Sequence, residues 1–311
     1  MLHRPNMTSG GDYVALSGYT AALQRAGVEV TCRNADIPGD CTGFDYVHLW
    51  AACSPDWGLG AAVEAKRQGA RLIITPFWWD RAERQAFYGR PGQDLVPGYT
   101  TAVGETLRLA DVLFPVTMSE AAQCWNLAPR AKVWPVPMGT DRPRIEAQPA
   151  EDYVLCVGRI EPHKNQLSLV RACESLGVSL LLVGKSANND YTRAVGDGAG
   201  DVGICEADDE ARAIFLSSAR VHALPSFFEN PGLVHMEAAV MGIPAVMGNR
   251  GCEPEFFGPG GIYCDPTSVD DIAAAIAEAW DRPRGQWAEM PTWDDAASRA
   301  MEWMEANQWR V

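Results

Sequence analysis

Two successive series of short β-rich runs alternating with helix-patterned segments constrain this chain more than any other feature. Strands joined by helix-length crossovers lie parallel, and a parallel sheet needs helices over its faces. In the first series, residues 44–50, 71–75 and 112–116 read as strands and 13–26 as the first helix. Only residues 1–4 remain for a strand ahead of that helix, so either the strand is very short or the sequence starts partway along it. Pro135, Pro137, Gly139, Pro143 and Pro149 then punctuate the chain before the apolar run DYVLCVG, which places a domain boundary there. Beyond it, strands are expected at 153–157, 178–183, 220–224 and 243–247, with helices at 165–176, 208–219, after Glu229 and at 268–280. The expected fold is α/β with two doubly wound, Rossmann-like domains, residues 1–147 and 148–280, and a tail, 281–311. Thr292 is the expected N-cap of a last helix running from Trp293 to about Asn307.

A length of 311 residues suits two cores of ordinary size. No apolar run approaches the ~20 residues a membrane-spanning helix needs, and the opening MLHRPNMTSG lacks a signal peptide's apolar stretch, so a cytoplasmic protein is expected. Nine cysteines without a C-x-x-C pair fit free thiols in a reducing compartment. The histidines at 3, 48, 163, 222 and 235 offer no ligand pair at helical spacing, and no metal is expected. The formal charge of −14 sits wholly in the second half: residues 1–145 carry 14 basic and 14 acidic residues, and residues 146–311 carry 12 and 26. Such a surface repels polyanions, which argues against indiscriminate nucleic-acid binding, and any anion site there must bring its own cations.

The stretch PSFFENPGLVHMEAAVMGIP, 225–244, supplies one part of such a site. Asn230-Pro231-Gly232 is turn chemistry, whereas 233–241 is apolar and helix-forming, closed by Gly242 with Pro244 beyond. A helix therefore starts just after Glu229. Its unpaired amides and the positive end of its dipole favour a bound anion such as a diphosphate. Glu229 would sit beside that anion, and Glu237, one to two turns on, would accept hydrogen bonds from ligand hydroxyls. Two carboxylates beside one polyol suggest a nucleotide sugar.

The cations come from the segment Gly158-Arg159-Ile160-Glu161-Pro162-His163-Lys164-Asn165, directly after the first strand of the second domain. Ligands of open α/β sheets bind at the C-terminal ends of strands. Arg159 can grip phosphate oxygens in bidentate fashion and Lys164 adds a point charge, and together they would stabilise a departing diphosphate. Either residue alone is commonplace; their combination with the two glutamates is not. In the first domain, Ser9-Gly10-Gly11 is a glycine turn that lets backbone approach a ligand.

Together these segments resemble the retaining glycosyltransferases of family 4, the glycosyl transferases group 1, which have the GT-B fold. The resemblance is carried by Gly10-Gly11, VGRIEPHKNQ, the Glu-x7-Glu of FENPGLVHME, GCEPEFFGPGGIYCDP and the terminal TWDDAASRAMEWME. It extends over essentially the whole chain and is strongest from 153 to 280. It implies two Rossmann-like domains facing a central cleft, with the last helix crossing back onto the first domain. By the same resemblance, Arg159 and Lys164, beside Gly158, hold the donor diphosphate and Glu237 takes the ribose hydroxyls. Glu229, catalytic together with the two cations, contacts the donor sugar next to Asn230. The amides of Gly232 and Leu233 lie near sugar or phosphate, and Gly11 brings the first helix to the diphosphate. The implied reaction moves a hexose-type sugar, with retention, from a UDP- or GDP-sugar to a hydroxyl of a saccharide or glycoconjugate. Same-side attack, in which the leaving phosphate takes the acceptor's proton, requires no protein base. The chain has no D-x-D triplet, in agreement with metal-independent transfer, and no cofactor is implied.

Members of that family commonly carry a histidine after the strand equivalent to 71–75. Here the region reads Thr75-Pro76-Phe77-Trp78-Trp79-Asp80, and Trp79 or Asp80 is the expected cleft residue instead. Residues 78–90 set Trp78, Trp79, Asp80, Arg81, Arg84 and Arg90 among Phe87 and Tyr88, a candidate acceptor surface. A solvated amphipathic helix reads the same segment equally well. Two other functions stay open at this point: glycosylation of a hydroxyl-bearing modified DNA base, and non-catalytic binding of a nucleotide sugar.

Overall fold

The computed structural model of the protein describes residues 1–3, 10–34, 39–53, 57–80, 98–141, 145, 148–186, 188–198 and 200–307. They fall into two compact units. One gathers the described residues up to Thr140 and those from Pro291 onward, and the other runs over Asp141–Met290.

The first unit is built on strands β1 (Leu2–His3), β2 (Arg33–Asn34), β3 (Val47–Trp50), β4 (Leu72–Thr75) and β5 (Val112–Leu113), in the order β2-β1-β3-β4-β5. Every pairing is parallel. The strand expected at 44–50 begins only at Val47, because Phe44 closes a turn onto the Cys41 carbonyl (3.3 Å). The one expected at 112–116 stops before Pro115, which has no amide to continue a ladder. Helices Gly58–Arg67 and Tyr99–Leu109 carry no side-chain cap, so little in the sequence announces them; Met118–Leu127 is capped by Thr117. Leu49, Leu72, Ile74, Leu107 and Leu113 form the centre of the core. The last helix, Trp293–Ala306, opens on a capping box between Thr292 and Asp295 and packs within this unit on Gly11–Arg25. Arg299 lies 3.6 Å over the Trp134 ring, and Trp303 meets Phe114 edge-on.

The second unit holds β6 (Glu151–Val157), β7 (Ser179–Val183), β8 (Val202–Cys205), β9 (Ala219–Leu224), β10 (Ala245–Gly248) and β11 (Ile262–Cys264), all parallel, in the order β11-β10-β9-β6-β7-β8. Alternate residues of β6 serve opposite faces, as the period of two requires. Val154 and Cys156 pack with Leu169 and Ile276, whereas Leu155 and Val157 pack with Leu216 and Ala238. Arg284 donates to the carbonyls of Gln148, Ser217 and Ala219, and the Trp287 indole to Ile243, which ties 281–290 into this unit.

In each sheet the opening strand lies inside, with the chain leaving it first to one side and then to the other. The strand order therefore reverses between β1 and β3 and between β6 and β9, and a crevice opens at the carboxyl ends of those strands. Among the described residues no helix is long and apolar enough to cross a membrane, and all nine cysteines are free.

Candidate functional site

The crevice between β6 and β9 receives the segments that sequence alone singled out. After Val157, the Gly158 amide donates to Val183 and the Ile160 amide to Lys185, which holds the turn against the end of β7. A single 3-10 turn, Pro162–Lys164, follows. Asn165 then adopts φ +59 and is buried, donating through Nδ2 to the carbonyls of Pro225 (3.1 Å) and Pro266 (2.7 Å). Those bonds fasten the lysine-bearing turn to the segments after β9 and β11. The Phe227 amide, in the same segment after β9, donates to the His163 carbonyl.

The result is an ion pair between Lys164 Nζ and Glu229 Oε1, residues 65 positions apart in sequence, with side chains only 14% and 10% exposed. Burial is the largest single influence and raises the Glu229 carboxyl, but the charge of Lys164, that of His163 and hydrogen bonds from Lys164 and Ser226 together outweigh it and hold it at about 2. Glu229 is thus ionised at any neutral pH. Its backbone is pinned as well: the Cys252 amide donates to the Glu229 carbonyl (3.2 Å), and Glu229 pairs with Gly251 in a parallel bridge. Gly251 has φ +78, and a Cβ there would lie 2.4 Å from the Glu229 carbonyl oxygen, so no other residue fits.

Gly232 is the N-cap of helix Leu233–Met241 and Leu233 its first residue, and no side chain caps the helix start. Those amides remain available to a ligand. Asn230 accepts from the Cys252 thiol, while its buried Nδ2 meets no protein partner among the described residues, a donor suited to ligand binding. Arg159 stands apart from the buried pair: its guanidinium is 66% exposed and pairs with Glu161 at 3.0 Å. Glu237 pairs with Arg212, from helix Asp209–Ser218. Arg212 was not legible beforehand, because only three-dimensional packing brings that helix beside the Glu237 face.

In the first unit, the glycine turn sits at the crevice between β1 and β3. Gly10 has φ +93, which a side chain would resist, and Gly11 opens the helix Gly11–Arg25, again without a side-chain cap. Trp78 corrects the acceptor-surface expectation: it is 3% exposed, stacks on Tyr99 with centroids 6.0 Å apart, and belongs to the core. Its amide is held by the buried Glu120 carboxylate, which turns the residue inward. Trp79 and Asp80 are half-buried. Arg81, Arg84, Phe87, Tyr88 and Arg90 lie outside the described residues.

Residues 138–292 match the family model described as glycosyl transferases group 1. A GDP-mannose-dependent alpha-(1-6)-phosphatidylinositol monomannoside mannosyltransferase of Mycobacterium tuberculosis is 30% identical over 243 residues, 67% of this chain and 60% of that protein. The O-antigen chain mannosyltransferase B of Escherichia coli is 31% identical over 153 residues, 46% of this chain and 40% of that protein. The chain thus spans about 60% of the length of the mycobacterial relative. Among solved structures, a sucrose-phosphate synthase from Thermosynechococcus elongatus superposes with a TM-score of 0.74 at 18% identity, covering 98% of this chain and 95% of that one. Anabaena HepE, in complex with UDP and glucose, gives 0.70 at 14% identity, covering 99% and 98%. These likenesses establish the GT-B fold.

Proposed function

The chain belongs to the glycosyl transferases group 1 family, and from that premise we propose that it transfers a hexose from a nucleotide diphosphate sugar to a hydroxyl acceptor, with retention and without a metal. The observation that carries the proposal is the buried Lys164–Glu229 pair at the β6–β9 crevice, next to an uncapped helix start. Lys164 and Arg159 neutralise the diphosphate as its bond to the sugar's anomeric carbon breaks. The acceptor oxygen bonds to that carbon on the same face, and its proton passes to the departing phosphate oxygen, so no protein base is involved. Glu229 orients the sugar, Glu237 takes the ribose hydroxyls, and the Gly232 and Leu233 amides receive phosphate or sugar oxygens.

Both named relatives are mannosyltransferases, and the mycobacterial one is GDP-mannose-dependent. GDP-mannose is therefore the first donor to test, with UDP-sugars second, and a saccharide or glycoconjugate is the acceptor class. Cytoplasmic placement belongs to the same proposal, supported by nine free cysteines.

The test is thermal stability against GDP and UDP. A nucleotide at ~100 times its dissociation constant adds about 2.7 kcal/mol. Arg159→Ala is the decisive variant, because its exposed side chain makes folding insensitive to it. Stabilisation of the wild type that disappears in Arg159→Ala supports the donor site. Failure of both nucleotides to stabilise the wild type refutes it, and binding of GDP-mannose without release of GDP reduces the protein to a binding module.

A further inference from the structure

Glu237 faces the one basic side chain of an acidic stretch. Between Arg193 and Arg220 the sequence holds a single arginine and no lysine, Arg212, against Asp197, Asp201, Glu206, Asp208, Asp209 and Glu210. Asp208 caps helix Asp209–Ser218 by accepting from the Ala211 amide at 2.8 Å, and the helix dipole favours the acids gathered at that start. Arg212 follows one turn in. Its Nη1 donates to Glu237 Oε2, and its Nη2 stands 3.7 Å from Asp209 Oδ1. The Arg212 side chain is 23% exposed and that of Glu237 13%, so the two meet largely out of water. Burial disfavours the arginine's charge, but Glu237, through its own charge and hydrogen bond, and Asp209 with it outweigh burial and raise the guanidinium above its ordinary value.

The place of Glu237 on its helix ties this pair to the donor. Glu237 lies four residues beyond Leu233 in helix Leu233–Met241, about 6 Å along the axis at 1.5 Å per residue. A nucleotide whose phosphates meet the amides at the helix start therefore carries its ribose past Glu237. A glutamate side chain turns about three torsions, and ordering it only when the ligand arrives costs affinity. Arg212 orders it beforehand: it occupies one carboxylate oxygen and leaves the other to accept from hydroxyls. It also offsets the charge of a carboxylate that, together with the acids of 206–210, opposes an anionic donor. Folding alone does not call for such a pair, because an apolar pair of similar volume would fill the space without the desolvation cost.

We propose that Arg212 is a positioning residue for donor binding, gripping one oxygen of Glu237 and so aiming the other at the ribose hydroxyls of the nucleotide. The inference rests on the donor-site reading given above, in which Glu237 takes those hydroxyls.

Titration calorimetry on the full chain compares GDP and UDP with their 2′,3′-dideoxy counterparts, which lack the hydroxyls in question. The wild type binds the accepted nucleotide more tightly than its dideoxy form. Arg212→Met, which keeps most of the stem and drops the guanidinium, binds the accepted nucleotide about tenfold more weakly and the dideoxy form within about twofold of wild type, so the preference for the hydroxyls collapses. A merely structural role would lower both affinities alike. Should Arg212→Met not fold, Arg212→Met combined with Glu237→Gln removes the stranded carboxylate, and it binds the accepted nucleotide as Glu237→Gln alone does. The inference is overturned by equal losses for the two nucleotides, by a preference that Arg212→Met leaves intact, by a wild type indifferent to the hydroxyls, or by a further loss when Arg212→Met is added to Glu237→Gln. If the wild type binds neither GDP nor UDP, the donor-site reading falls and takes this inference with it; if it binds one and Arg159→Ala abolishes that binding, only the positioning role is at stake.

Discussion

Replacing Lys164 by Met removes an ammonium group and keeps most of the stem. The structure assigns this change a stability cost as well as a loss of transfer, because Lys164 is only 14% exposed and is the counterion of a buried glutamate. The Glu229 carboxyl stands at about 2 in the folded protein against an ordinary 4.5. At about 1.4 kcal/mol per pH unit, that difference corresponds to about 3 kcal/mol of folding stability at neutral pH. Without Lys164 burial also raises the carboxyl, which adds to this cost, whereas methionine sheds the desolvation cost of the ammonium. With roughly 2–4 °C per kcal/mol, the unit spanning Asp141–Met290 should melt about 6–12 °C earlier at pH 7. A depressed carboxyl contributes stability above its unfolded value and loses it as pH falls through its folded one. The deficit of Lys164→Met should accordingly shrink between pH 5 and pH 2. Adding Glu229→Gln removes the orphaned charge and should recover more than half of the loss. Calorimetric melts across that pH range decide the matter: an unchanged melting temperature at pH 7, or a deficit independent of pH, refutes the reasoning.

Two further outcomes follow from the same neighbourhood. Burial pushes the Glu253 carboxyl well above its ordinary value, with Glu229 adding to the rise; the stability this confers is complete below pH 4.5 and is lost as pH rises through the folded value. Glu253→Gln should therefore gain on wild type as pH rises above 4.5, read from urea unfolding, and parallel curves would count against a protonated Glu253. Asn165→Ala loses two side-chain hydrogen bonds and strains a left-handed backbone, which should cost about 3 kcal/mol, while Asn165→Gly keeps the backbone at ease and costs roughly 1 kcal/mol less. Equal urea midpoints for Ala and Gly would show that φ +59 is not under strain.

Periodicity and turn chemistry made the second unit largely legible. DYVLCVG gives β6, the Gly242 stop gives the end of Leu233–Met241, and Thr292 gives the last helix. These signals are local, as are the features that placed Lys164 and Glu229 at strand ends. Their mutual contact was not local: it depends on β9 lying beside β6, a pairing that no short window encodes. The same limit hid Arg212 from Glu237 and His235 from Glu253. Trp78 shows the opposite failure, where an aromatic in a polar run suggests a surface and a buried glutamate turns it into the core.

The two cations of the site are unlike, and under the proposed function that difference divides the work between them. Arg159 already stands in water, beside Glu161, so meeting a diphosphate costs it little desolvation. Its attraction is correspondingly screened by salt, and it suits capture of the donor more than acceleration of the reaction. Lys164 has already been taken out of water, at the expense of holding Glu229 ionised beside it. A diphosphate arriving there competes with Glu229 for one ammonium, so ground-state binding gains less than the charge count suggests. As the bond to the sugar breaks and negative charge concentrates on the leaving oxygen, the balance of that competition moves toward the phosphate. An interaction that strengthens on the way to the transition state raises the rate and not merely the affinity. Lys164 and Glu229 therefore act as one unit, in which the glutamate restrains the lysine from binding the donor as tightly as it binds the departing diphosphate.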